Sequence, residues 1–296
     1  MPENDNLQQA GKSYTEIEKQ SAYKEALSFA KNHYENFPVV SFLVPEELRK
    51  HVAIIYWFAR TADDFADEGE LAETTRLIEL NKFENRLRNL ITENFEEPLE
   101  LALYSTIKEK NLSPVLFFDL LKAFKQDVVK KRYNNFDDVL EYCKYSANPV
   151  GRLILELSGI RDEKAFRYSD KICTALQLTN FLQDTAVDYK KGRIYLPADE
   201  MEKFGVSEKM FELNENNLNL KKLLTYNVNR AQRLFDEGKN LFSFLHGLLK
   251  FEIKWTVLGG QTVLDRIRKN DYDVLNKRPQ LSKKDFLALL LKAFIK

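Results

Sequence analysis

The chain has 296 residues, with 45 basic and 45 acidic side chains and a formal net charge of +0, so the basic excess of a nucleic-acid binder is missing. Two cysteines are too few for a disulfide scaffold, and no apolar run reaches the roughly 18 residues of a bilayer-spanning helix. Only 10 glycines and 8 prolines argue for long elements and few tight turns, hence an all-α chain.

Residues 1–14 are polar and are expected to form a mobile tail, with one all-α domain over 15–296. The first twenty residues have neither an apolar core nor a basic flank, so no secretory leader is expected, and the expected placement is cytoplasmic or membrane-peripheral. A helix is predicted over 15–34, opened by a Thr15–Glu18 capping box and stopped by Pro38. His33 stands in its last turn, where a cation offsets the helix dipole.

Pro45 starts a helix running to about Glu68, whose end reads YWFARTADDFADE. Arg60, Asp63, Asp64 and Asp67 fall at i, i+3, i+4 and i+7, on one face, with Tyr56 a turn earlier. As helix design this is poor. Asp63 and Asp67 repel by about 0.2–0.5 kcal/mol, and Gly69 puts the acids at the negative pole of the helix. A bound divalent cation reverses these penalties.

Amphipathic helices follow over 72–92 and 96–110, then Ser113-Pro114 opens a helix to about Lys131. Gln126-Asp127 and Lys131-Arg132-Tyr133 read equally as site or surface. Residues 137–157 are predicted as one helix bent at Pro149, with Gly151 permitting close approach of a backbone or ligand. Cys143 and Cys173 lie in apolar helical segments as reduced, buried thiols.

The stretch 172–189, ICTALQLTNFLQDTAVDY, repeats the acid-bearing device. Gln177, Asn180, Asp184 and Asp188 occupy i, i+3, i+7 and i+11 of one face; Gly192 closes the helix, and Lys190, Lys191 and Arg193 adjoin it. Arg193 and Tyr195 then lie in a loop able to close over an anion. Long helices are predicted over 217–249 and 251–270, and a last one from Lys283. The last, LSKKDFLALLLKAFIK, either docks on the core or rests on a membrane surface.

A single Asp pair is most simply a solvated face. Two matched pairs, each on an apolar helix ending in glycine, point instead to Mg²⁺, which takes one or two carboxylates plus substrate phosphate oxygens. The reaction this favours is departure of diphosphate from an oily chain, leaving a carbocation. GxGxxG is absent, so NAD(P)H is not expected, and GxxxxGK[ST] is absent, so no P-loop holds the phosphates. His33, His51 and His246 lack zinc-ligand spacing.

RTADDFADE and NFLQDTAVDYKKGRIYLP resemble the two Asp-rich motifs of the squalene/phytoene synthase family, and the likeness extends from about His33 to about Pro279. HYENFPVVSFLVP, YCKYSANPVGRL and GGQTVLDRIRKNDYDVLNKRP resemble its hydroxysqualene synthase branch. The resemblance implies an isoprenoid-synthase helical bundle around a central apolar cavity. It further implies Mg²⁺ on Asp63, Asp64, Asp67, Asn180, Asp184 and Asp188, with Arg60 and Arg193 on the leaving diphosphate. His33 falls near that diphosphate, and Tyr142 and Asn148 near the hydrocarbon, although Tyr142 reads equally as core. Tyr56, Gln177 and Tyr195 complete the candidate substrate contacts. Phe58, Phe181 and Tyr142 are the aromatic faces suggested for cation–π contact.

The implied substrate is presqualene diphosphate, captured by water as hydroxysqualene; the alternative is head-to-head condensation of two farnesyl diphosphates. Gln183 stands where some relatives carry arginine, which removes a cation beside the metals and disfavours the two-step condensation. An inactive scaffold with the same fold is the reading of another class; the intact acid pairs oppose it.

Overall fold

Long amphipathic segments with sparse breakers bury themselves best against one another, and the computed structural model, which describes residues 15–32 and 43–295, contains no strand among them. The first five helices are α1 (Glu16–Asn32), α2 (Glu46–Asp67), α3 (Glu73–Ile91), α4 (Pro98–Glu109) and α5 (Val115–Val129). They enclose a core in which Phe58 stacks on Phe83 at 5.0 Å and meets Phe117 edge-on at 5.2 Å. Next come α6 (Phe136–Ser146), α7 (Asn148–Leu157), α8 (Glu163–Gln183), α9 (Thr185–Lys190), α10 (Ala198–Phe204) and α11 (Glu208–Glu212). Then α12 (Leu218–Gly238), a 3-10 turn (Lys239–Ser243), α13 (Gly247–Lys269) and α14 (Lys283–Ile295) complete the chain. A second core gathers around α8 and α12, and α7 is the seam: Leu153 packs into the first core, Leu155 into the second and Ile154 against both.

Local chemistry explains the starts. Thr15 and Glu18 form the expected reciprocal box, Glu18 Oε2 accepting from Thr15 N at 2.7 Å and Thr15 Oγ1 from Glu18 N at 3.2 Å. Asn135, Asp162 and Asn217 cap α6, α8 and α12 through side-chain oxygens. The segment 137–157 is two helices rather than one bent at Pro149. The break falls at Ala147, so Pro149 enters the first turn of α7, where its missing N–H costs nothing. The 172–189 helix also breaks, at Asp184, where Thr185 Oγ1 donates to the Phe181 carbonyl at 2.9 Å. The 217–249 segment gives way to the 3-10 turn after Gly238. A Cβ there would lie 2.6 Å from Ile172 Cγ1, so α12 approaches α8 too closely for any other residue.

His51 knits α1, α2 and α4 together. It is fully buried, with Nδ1 2.9 Å from Thr106 Oγ1, which also lies 2.9 Å from the Tyr23 hydroxyl. Burial holds its pKa down at about 4, with Glu109 pulling the other way. The unfolded chain, near 6.5, therefore takes up the proton first as pH falls. Stability is complete above about pH 6.5 and falls by about 3 kcal/mol on the way to pH 4. Thermal melts across this window should show the fall in the native protein and a flatter profile in His51→Gln.

Among the described residues no helix is long and apolar enough to cross a membrane.

Candidate active site

The two acid-bearing helix ends meet. Asp67, in the last turn of α2, accepts Lys191 Nζ at 2.5 Å and Arg193 Nη2 at 2.7 Å, both from the loop that follows α9. On α2 itself Arg60 bridges Asp64 at 2.8 Å and Asp63 and Glu68 at 3.2 Å each. Opposite, Arg278 grips both carboxylate oxygens of Asp184. The end of α2 is fixed by Arg76, whose guanidinium donates to the carbonyls of Phe65, Glu68, Gly69 and Leu71. A cation on those carbonyls offsets the helix dipole that the acids aggravate.

A third element joins them. Asp127, near the end of α5, takes the Tyr142 hydroxyl at 2.8 Å and the Tyr195 hydroxyl at 3.5 Å. Beneath it four rings pack together. Phe181 and Tyr195 stack at 3.8 Å, Tyr142 lies 5.9 Å from Phe181, and Tyr133 lies 5.5 Å from Tyr195. Backbone bonds hold the loop in register: Ile194 N donates to the Lys131 carbonyl and Ala198 N to that of Tyr133. Arg132 is structural, bonding Glu208 and the Gly192 carbonyl.

Crowded carboxylates resist ionisation. Burial, and then the neighbouring Asp184, push Asp188 up to about 7. Burial likewise pushes Asp127 up to about 6, although the Tyr142 hydrogen bond works against it and Asp63 and Asp67 add to it. Asp67 goes the other way: burial opposes its charge, yet Lys191 and Arg193 hold its carboxyl below the usual range. Among the described residues the six aspartates 63, 64, 67, 127, 184 and 188 outnumber Arg60, Lys191, Arg193 and Arg278, the basic groups that ion-pair with them. No three acidic, histidine or cysteine side chains among these residues converge on one point. Paired carboxylates with a surplus of negative charge fit ions that draw their remaining ligands from a diphosphate.

An apolar cavity of about 220 Å³ lies below, lined by Val52, Gly151, Ile154, Ile172, Leu176 and Ile253 among others. It occupies the same helix faces as the acids. Leu48, Val52, Tyr56, Asp63 and Asp67 follow one stripe of α2, and Ser169, Cys173, Leu176, Asn180 and Asp184 one stripe of α8. Leu176 precedes Asp184 by about 12 Å of helix. Gly151 brings α7 onto α8, since a Cβ there would stand 2.4 Å from Ser169 Oγ.

Of the remaining sequence-predicted residues, Asn148 accepts from Thr174 at 3.1 Å on the α7–α8 contact, Gln177 is half-buried, and Asn180 is exposed one turn from Asp184. Tyr56 packs 6.1 Å from Phe29, two turns from the acids. Phe58 is not a site residue: it points away from the acid-bearing stripe of α2 into the first core. His33 lies outside the described residues. Cys143 and Cys173 are free thiols, and Cys173 lines the cavity.

Sequence reading missed Arg278. Gln183, where a cation was expected to be lost, is buried and donates Nε2 to the Pro279 carbonyl, pinning the segment that delivers Arg278 to Asp184. The cation is supplied from 94 residues away. Asp127 has no assigned role in the sequence reading; the available clue is an acid followed by Val128-Val129 in the last turn of α5.

A family model described as squalene/phytoene synthase matches residues 30–285. The chain is 40% identical over 186 residues to a hydroxysqualene synthase of Zymomonas mobilis, covering 62% of this chain and 61% of that protein. It is 30% identical over 262 residues to a hydroxysqualene synthase of Sinorhizobium fredii, covering 88% of each. Its fold matches the crystal structure of squalene synthase HpnC from Alicyclobacillus acidocaldarius with a TM-score of 0.82 at 36% identity, over 87% of this chain and 97% of that one.

Proposed function

The chain belongs to the squalene/phytoene synthase family, and from that premise we propose that it converts presqualene diphosphate and water to hydroxysqualene and diphosphate with Mg²⁺. What supports the substrate class is the meeting of two acid-bearing helix ends above an apolar cavity on the same helix faces. What supports the product is the likeness to hydroxysqualene synthases over most of the chain.

In this reading Asp63, Asp64, Asp67, Asn180, Asp184 and Asp188 hold the ions. When bound, Mg²⁺ supplies Lewis-acid neutralisation of the leaving diphosphate. Arg60, Arg193, Lys191 and Arg278 add hydrogen bonds to its oxygens, which strengthen as charge develops there. The carbon–oxygen bond breaks with its electron pair leaving on diphosphate, and the cyclopropylcarbinyl cation rearranges within apolar walls. Phe181 and Tyr142, packed together beneath Asp127, are the rings assigned to stabilise the positive charge. One water then forms the new carbon–oxygen bond, and we assign its released proton to Asp127, reached through the Tyr142 hydroxyl. A carboxylate near 6 accepts a proton effectively at neutral pH.

The test is direct. Purified protein is incubated with Mg²⁺ and either presqualene or farnesyl diphosphate, in water enriched in heavy oxygen, and products are identified by mass spectrometry. Labelled hydroxysqualene from presqualene diphosphate is expected. Turnover of farnesyl diphosphate with none of presqualene diphosphate would overturn the assignment.

A further inference from the structure

Helix α14 is apolar on two faces, and among the described residues only one is packed against the rest of the protein. Its inner face buries Leu289 and Ala293 against α13. There the Trp255 indole N–H donates to the Phe286 carbonyl at 3.1 Å, and Arg266 pairs with Asp285 at 2.6 Å. Its outer face carries Leu287, Leu291 and Phe294 at i, i+4 and i+7, exposed by 61%, 61% and 48%. Leu248, 44% exposed at the start of α13, extends the apolar surface next to Phe251, which stacks on Phe294 at 4.4 Å. Holding so much hydrocarbon in water is unfavourable, and a contiguous patch of this kind marks a contact surface.

The charges around it select the partner. Lys239, Lys254 and Lys292 surround a cleft of about 390 Å³ between α13, α14 and the 3-10 turn, floored by Phe242, Val257 and Leu258. Lys254 lies 5.9 Å from the ring of Phe251, so the cleft abuts the apolar stripe. Lys284 is exposed on the outer side of α14. The neighbouring acids are engaged, Asp236 with Lys239 at 2.8 Å and Asp285 with Arg266. Apolar side chains flanked by ammonium groups match the boundary between acyl chains and anionic headgroups.

We propose that the outer face of α14, with the adjoining lysine cleft, docks the protein on the surface of an anionic lipid bilayer. Leu287, Leu291 and Phe294 enter the acyl boundary, while Lys254, Lys284 and Lys292 meet lipid phosphates. The location has a consequence for catalysis. The first turns of α13 line the apolar cavity through Leu249, Glu252, Ile253 and Thr256, and on their other face Phe251 and Trp255 carry α14. Docking therefore brings the hydrocarbon cavity to the bilayer while the acid cluster stays at the far end of α8.

Vesicle co-sedimentation of the full chain without substrate tests this independently of the reaction assignment. Native protein should partition onto phosphatidylcholine vesicles containing phosphatidylserine, and more weakly as salt rises or onto phosphatidylcholine alone. Leu287→Ser with Leu291→Ser should lower partitioning by about 100-fold, with helicity and turnover of detergent-dispersed substrate unchanged. Lys254→Gln with Lys292→Gln should cost about tenfold on anionic vesicles and nothing on neutral ones. Failure of the native protein to bind either vesicle, equal binding to both, or a native dimer that the leucine pair dissociates in the ultracentrifuge would each overturn the proposal.

Discussion

Replacing Asp67 or Asp188 by asparagine is expected to lower kcat/KM by about 10³-fold in both cases while moving stability in opposite directions. Activity falls because each change removes one carboxylate from a facing pair that shares the charge of the ions and the leaving group. Stability divides according to what each carboxylate meets in the folded chain. Asp67 is engaged by Lys191 and Arg193, so Asp67→Asn leaves a largely buried guanidinium without its anion and costs about 1–3 kcal/mol. Asp188 ionises against burial and against Asp184, its pKa standing at about 7 rather than 3.8. A folded-state pKa raised in this way means that the folded chain binds the proton first. Stability therefore falls as pH rises from about 3.8 to 7, and the full penalty is carried above that range. Asp188→Asn should relieve about 2–4 kcal/mol of it at pH 8, after allowance for partial exposure. Differential scanning calorimetry beside steady-state assays separates the cases. Equal destabilisation by both variants would refute the charge surplus on which the metal assignment depends.

Much of this arrangement was legible in the sequence because it is local. Helical spacing alone puts Asp63 with Asp67, and glycines at 69 and 192 locate the ends of their helices. What spacing cannot reveal is which cation visits which acid across the fold. Arg278 reaches Asp184 only because Gln183, buried one residue before it, holds the Pro279 carbonyl. Read as composition, Gln183 is a lost charge; in three dimensions it is an anchor for a replacement. The helix breaks at Ala147 and Asp184 were hidden for a related reason. Apolar periodicity runs straight through both, and the chain departs from it where a carbonyl finds a side-chain donor or a proline prefers a first turn. Phe58 illustrates the opposite error: its aromatic face suggested cation–π contact, whereas on α2 it turns into the first core against Phe83 and Phe117.

Asp127→Asn should yield a protein that melts higher and turns over about 100-fold more slowly. The carboxylate sits above four packed rings and accepts two tyrosine hydroxyls, with burial raising its pKa to about 6 from 3.8. Between those values the folded chain holds a proton that the unfolded chain has released. Stability declines as pH rises through the interval, and at pH 8 the charged form costs about 2–3 kcal/mol. Asparagine removes that cost. It keeps one oxygen to accept the Tyr142 hydroxyl, but its amide cannot accept a proton. Tyr142→Phe is the companion change, since it leaves the carboxylate in place and breaks the path to it. A proton-acceptor role places the defect after ionisation, so diphosphate release should exceed hydroxysqualene formation, the balance of the cation losing a carbon-bound proton to give hydrocarbon. If diphosphate release and hydroxysqualene formation slow together, Asp127 acts through the leaving group, and the proton has another destination.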